Sequence, residues 1–132
     1  MIVLDTHVLI WWLSGSKRLS AKARRLIDQE GSLPKNILVS SISSWEISML
    51  VSKDRLKLSV NTEEWVRQAE RIESILFVPL DNQIAIRATQ LPEPLHKDRA
   101  DRMIIATAKQ MGCPLVTADE KILAYPHVET IW

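Results

Sequence analysis

Apolar runs too short for helices alternate along this chain with stretches of helical period. Met1-Ile2-Val3-Leu4 is one such run, ended by Asp5-Thr6, and Val8 to Leu13 after it reads as a short helix. Ser20 supplies the cap for a helix through Glu30, with Ala23, Leu26 and Ile27 at helical spacing. Ile37-Leu38-Val39 predicts a second strand, after which Ile42, Trp45 and Met49 fall at i, i+3 and i+7. Arg55 to Val60 alternates leucine or valine with polar residues and predicts a short extended connector. Thr62 opens a helix carrying Trp65, Val66, Ala69 and Ile72, Ile75 to Val78 predicts a third strand closed by Pro79, and Asn82 to Gln90 is helical. Leu91-Pro92-Glu93-Pro94-Leu95 is a clear break. Ala100 to Met111 then predicts a strong helix, Leu115-Val116 a strand, Asp119 to Leu123 a turn of helix, and Val128 to Ile131 a final strand. Strands alternating with helices predict a single α/β domain over residues 1–132, its mostly parallel sheet covered on both faces.

Composition narrows the classes without naming one. The 46% hydrophobic content is enough for a real core. Seventeen basic residues against sixteen acidic ones leave +1, which counts mildly against a strongly basic nucleic-acid binder but permits an acidic site beside a basic patch. Cys113 is the only cysteine, so no intrachain disulfide and no multi-cysteine zinc site can form; before Pro114-Leu115-Val116 it reads as a small core residue. The N-terminus lacks a signal-peptide pattern and no apolar run approaches a membrane span, so the expectation is a cytoplasmic protein with no membrane partner.

In an open α/β sheet, ligands gather outside the carboxyl ends of the strands, and here that rim is acidic. Asp5 ends the first strand, Glu46 lies one turn into the helix after the second, Asp98 and Asp101 open the helix before the fourth, and Asp119 follows that strand. Each has an ordinary explanation. Ser43-Ser44-Trp45-Glu46 fits a capping box, Asp98 and Asp101 fit a cap and a first-turn acid, and Asp119 reads the same way. Asp5 alone has no such structural reading from the pattern. Together, these acids would repel one another unless a hard cation bound them. Oxygen donors without His or Cys suit Mg²⁺ or Mn²⁺, which points to metal-assisted phosphodiester hydrolysis. His7, two residues past Asp5, is expected to point elsewhere, while His96 is either a substrate contact or part of a loop.

These segments resemble the successive motifs of PIN-domain proteins, with the VapC-type toxins the nearest branch. The match is carried by Met1 to Leu9, Ser43-Ser44-Trp45-Glu46-Ile47, His96 to Ala108, and Leu115-Val116-Thr117-Ala118-Asp119, which span nearly the whole chain. The resemblance implies an α/β/α sandwich, a homodimer, Mg²⁺-dependent RNA cleavage, and neutralisation by a small antitoxin protein encoded nearby. It maps the catalytic and metal-binding acids onto Asp5, Glu46, Asp101 and Asp119, with Asp98 an additional ligand and Thr6 and Thr117 supporting hydroxyls. Arg99 stands where the family often has proline, at a position that is not a ligand.

Two clusters, Lys17, Arg18, Lys22, Arg24, Arg25 and Lys53, Arg55, Lys57, read as solvated faces or RNA contacts, with Arg24 and Asp28 spaced for a helix ion pair. Trp11, Trp12, Trp45 and Trp65 lie on apolar stretches and read as core or interface, with Trp11-Trp12 partly exposed. Three rival readings fit these residues less well than the nuclease. A receiver-type phosphoryl acceptor wants paired acids and a late lysine, where Thr6 and Thr117-Ala118 stand instead. A dehalogenase-like phosphatase wants Asp-x-Asp, where His7 replaces the second acid. A catalytically silent PIN-like binding module would have no need of the full set of acids.

Overall fold

A computed structural model describes residues 1–132 and bears out the α/β reading. Five parallel strands form one sheet in the order β3-β2-β1-β4-β5: β1 Ile2–Leu4, β2 Ile37–Ser40, β3 Ile75–Val78, β4 Leu115–Val116 and β5 Thr130–Ile131. Seven helices connect them: α1 Thr6–Ser14, α2 Ala21–Glu30, α3 Ile42–Ser52, α4 Thr62–Glu70, α5 Asn82–Thr89, α6 Arg99–Met111 and α7 Glu120–Leu123. The chain leaves β1 toward β2 on one side and later returns to β1's other side with β4. This reversal opens a crevice between the carboxyl ends of β1 and β4.

Side chains alternate across the buried strands and split the core in two. Val3, Leu38 and Leu115 face Ile84, Ala88, Ile104, Ile105, Ala108 and Ile122 of α5, α6 and α7. Ile2, Leu4, Ile37, Val39 and Val116 face Val8, Leu9, Ala23, Ile27 and Ile47 of α1, α2 and α3, with Trp65 of α4 packed beside them. The result is three layers, α/β/α.

Several local expectations need correction. α1 begins at Thr6, two residues before the apolar pattern, because Asp5 caps it and accepts the Thr6 N–H at 2.8 Å. Asp5 therefore has the structural role that its position in the sequence seemed to deny it. In α3 the buried residues are Ser43 and Ile47, whereas Trp45 is 56% exposed and Met49 half-buried. The apolar period there had selected a face rotated from the buried one, because a serine occupies a core-facing position. Arg55 to Val60 is irregular, held by Leu56 and Leu58 packing beneath the α1–α4 layer. Arg24 donates to the Ser16 carbonyl at 3.0 Å instead of pairing with Asp28. Cys113 is only half-buried, at the border of the α5–α7 core. The final strand is the two residues Thr130–Ile131, shorter than its apolar pattern. No helix is long and apolar enough to cross a membrane.

Candidate active site

Register builds the site before any side chain does. Val3 pairs with Leu115 and Leu4 with Val116, so the next residues out, Asp5 and Thr117, are neighbours at the crevice. Both are buried, Asp5 at 3% exposure and Thr117 at 0%. The Thr117 hydroxyl donates to Asp5 Oδ2 at 2.7 Å and accepts the Asp119 N–H at 3.0 Å. One side chain thus links the acid after β1 to the acid after β4. Asp119 in turn caps α7, with Oδ1 accepting from Lys121 and Ile122.

Glu46 reaches the same place from the other side. Its Oε1 accepts the Thr6 hydroxyl at 2.5 Å. Thr6 has one hydroxyl proton and spends it on Glu46, so the Ser43 hydroxyl, 2.8 Å away, donates to Thr6. The capping-box alternative for Glu46 fails: α3 starts at Ile42, and its cap residue Ser41 makes no side-chain cap bond. The buried serine that displaced an apolar residue from the α3 core face is the end of this hydroxyl chain.

The start of α6 divides its two acids by role. Asp98 is exposed and caps the helix by accepting the Asp101 N–H at 2.9 Å. Asp101 is half-buried, and Oδ2 lies 2.7 Å from His96 Nε2, which donates to it. The loop bearing His96 is cinched by Arg102, which donates to the carbonyls of Ala88, Leu95 and His96 and pairs with Glu93.

Asp5, Glu46, Asp98, Asp101 and Asp119 line a single cavity of about 280 Å³ with Thr6, His7, Ile10 and Leu50. No lysine or arginine shares that wall. Burial pushes the Glu46 carboxyl up to about 7, with the charges of Asp5, Asp101 and Asp98 adding to the rise and the Thr6 hydroxyl opposing it. Burial likewise lifts Asp101 to about 6, where Asp5, Asp98 and Asp119 add and the His96 hydrogen bond opposes. Perturbed carboxylates gathered in a cleft mark it as a candidate functional site. The donors are hard oxygens, the class that takes a divalent cation of the Mg²⁺ kind. No three of the side chains form a finished coordination sphere as they stand. Most are turned to protein donors, as helix caps or toward hydroxyls.

Sequence reasoning found every acid in the cavity and set aside one residue that belongs there. His7 lines the cleft, its Nε2 accepting the Ala118 N–H at 3.0 Å and its Nδ1 standing 3.7 Å from Asp5 Oδ2. The signal was available in principle, since in a helix starting at Thr6 the first residues stay beside the strand end. The expected start at Val8 hid it. Asp81, the acid after β3, lies outside the site: it caps α5, accepting the Ile84 N–H at 2.9 Å, at the sheet edge.

The chain is similar to known proteins over nearly its whole length. The PIN domain profile matches residues 2–128. Ribonuclease VapC22 of Mycobacterium tuberculosis is 33% identical over 134 aligned positions, covering 99% of this chain and 98% of that protein. Among solved structures, VapBC2 of Rickettsia felis bound to a promoter DNA fragment superposes with a TM-score of 0.71 at 17% identity, over 99% of this chain and 98% of the other. Mycobacterium tuberculosis VapC20, described as a sarcin–ricin loop cleaving toxin, superposes at 0.67 and 17% identity, over 98% of each chain.

Proposed function

The chain belongs to the PIN-domain family, and on that premise we propose that it is a Mg²⁺-dependent endoribonuclease acting as the toxin of a toxin–antitoxin pair. The observation that carries the reading is the cavity itself, in which five carboxylates meet without a cationic side chain. Burial, with the neighbouring acids adding, holds the Glu46 and Asp101 carboxyls above their ordinary range, a cost to their ionised forms that a bound cation would offset. The 33% identical ribonuclease VapC22 and the VapBC complexes among the structural relatives support the RNA substrate and the antitoxin partner. The homodimer implied by the resemblance belongs to the same reading.

Asp5, Glu46, Asp101 and Asp119 are the residues to hold Mg²⁺, with Mn²⁺ a substitute, and Asp98 is the additional acid at the mouth. When bound, the cation supplies a more acidic water and offsets negative charge on the scissile phosphate. Everything else falls to the protein. Thr117 fixes Asp5 relative to Asp119, Thr6 fixes Glu46, and His96 orients Asp101. These contacts restrain the carboxylates before substrate arrives, so little reorganisation is needed when charge develops.

The deciding experiment is a metal titration of RNA cleavage by protein freed of other nucleases. Activity is expected to appear with Mg²⁺ or Mn²⁺, to vanish with EDTA, and to be absent from a folded Asp5→Asn protein. Binding of RNA with no cleavage under any of these metals would favour the silent binding module instead. Expression of the chain alone should arrest growth, with relief by the small protein encoded beside it. Normal growth at high levels of active enzyme would remove the toxin role and leave the nuclease.

A further inference from the structure

His7 is the polar side chain of the cleft to which the reading above gives no part. Its Nε2 accepts the Ala118 N–H, and a backbone N–H is a donor only, so Nε2 carries no hydrogen and Nδ1 does. The fold thereby selects one neutral tautomer. The ring is steadied by Trp11, whose centroid lies 4.9 Å away, and Trp11 carries the Arg18 guanidinium at 5.1 Å and meets Trp132 at a tilt, 5.9 Å between centroids. The Nδ1–H itself has no acceptor in the protein. The nearest candidate, Asp5 Oδ2, is 3.7 Å away, beyond hydrogen-bond reach, and already receives the Thr117 hydroxyl. The ring is 30% exposed and lines the acidic cavity.

We propose that His7 is a catalytic residue that donates its Nδ1–H to a non-bridging oxygen of the scissile RNA phosphate. The inference rests on the nuclease reading. A neutral donor suits this wall for an electrostatic reason. A lysine or arginine at the same position would pair with the carboxylates and compete with the metal, whereas an imidazole N–H meets the phosphate without adding charge. Because the backbone of Ala118 holds the ring before substrate binds, the bond costs no reorganisation as negative charge grows on the phosphate.

Two substitutions separate this donor from the staple to Ala118. His7→Gln places an acceptor oxygen near the Nε2 position and lacks the Nδ1–H. His7→Asn places a donor near the Nδ1 position and falls short of Ala118. The expected result for His7→Gln is wild-type melting, wild-type KM for a single-stranded RNA oligomer with Mg²⁺, and kcat reduced about 10²-fold, the scale of one lost transition-state donor. His7→Asn should melt earlier yet retain more kcat per folded molecule than His7→Gln. Wild-type kcat in folded His7→Gln, or activity in His7→Gln with none in folded His7→Asn, would overturn the proposal and leave the nuclease reading standing. An independent check uses the wild-type protein: ¹⁵N NMR of the His7 ring should find the hydrogen on Nδ1, and finding it on Nε2 would also overturn the proposal. Wild-type protein inert toward RNA in Mg²⁺ and Mn²⁺ would remove both readings together.

Discussion

Asp5 and Asp81 are locally the same residue in two regions of one sheet. Each follows a strand in extended backbone and caps the helix that comes next, Asp5 through the Thr6 N–H and Asp81 through that of Ile84. What separates them is the position of the strand. β1 is flanked by β2 and β4, so Asp5 is buried and its second oxygen meets Thr117, just past β4 and more than a hundred residues away. β3 is the sheet edge, and Asp81 is exposed with only its own helix for company. A carboxylate becomes part of a site when neighbouring strands bring other acids to it. Capping chemistry alone does not distinguish the two.

The strongest test of that contrast is Asp5→Asn. Asparagine still caps α1 and still fills the space beside Thr117, so the protein should melt at or above the wild-type temperature as like-charge repulsion falls. RNA cleavage should drop beyond the roughly 10²–10³-fold that one hydrogen-bond donor supplies. A folded variant cleaving at the wild-type rate breaks the comparison outright. Asp101→Ala comes next. It removes a half-buried acid whose carboxyl is lifted to about 6, so calorimetry should show Mg²⁺ affinity and cleavage both sharply reduced with melting little changed.

Thr117→Val tests the link between the two central strands. It leaves Asp5 without its buried donor and the Asp119 N–H without its acceptor, a loss of about 1–3 kcal/mol in stability. Outer partners of metal ligands typically affect metal affinity or activity about 10- to 100-fold, and the same range is expected here. Thr117→Ser should recover most of both.

The pH dependence sharpens the comparison further. Glu46 and Asp101 bind protons more tightly folded than unfolded, where carboxyls titrate near 4. Between that value and about 6 to 7 the native state holds more protons, so metal-free stability should fall as pH rises through this window. Mg²⁺ should reverse the trend, raising the melting temperature more at pH 8 than at pH 5. A melting temperature insensitive to Mg²⁺ at both values would contradict the metal reading. The smallest effect belongs to Asp81→Ala, which should cost about 1 kcal/mol as a lost cap and leave metal-dependent cleavage unchanged. Loss of cleavage in that variant while folded would place the site boundary at the wrong strand.

The apolar periodicity and the cap residues determined the strands, the helices and the α/β class, because both are read over a few neighbouring residues. Ser20, Asp98 and Asp119 cap the helices their positions predict, and Ile75 to Val78 and Leu115-Val116 are strands to the residue. The acids that line the cleft were legible too, because each follows a strand or opens a helix at the same end of its β–α unit. Tertiary structure decided which local reading each one keeps. Glu46 looked like half of a capping box, and only the approach of α1 to α3 gives it Thr6 as a partner. His7 looked like a bystander, and only the β1–β4 register sets Ala118 against its ring. Trp45 looked like core or interface, and the placement of Ser43 inward rules out the core by turning it to solvent. These outcomes depend on groups dozens of residues apart meeting within hydrogen-bond range. Strand order and register set such meetings, and no local pattern encodes them.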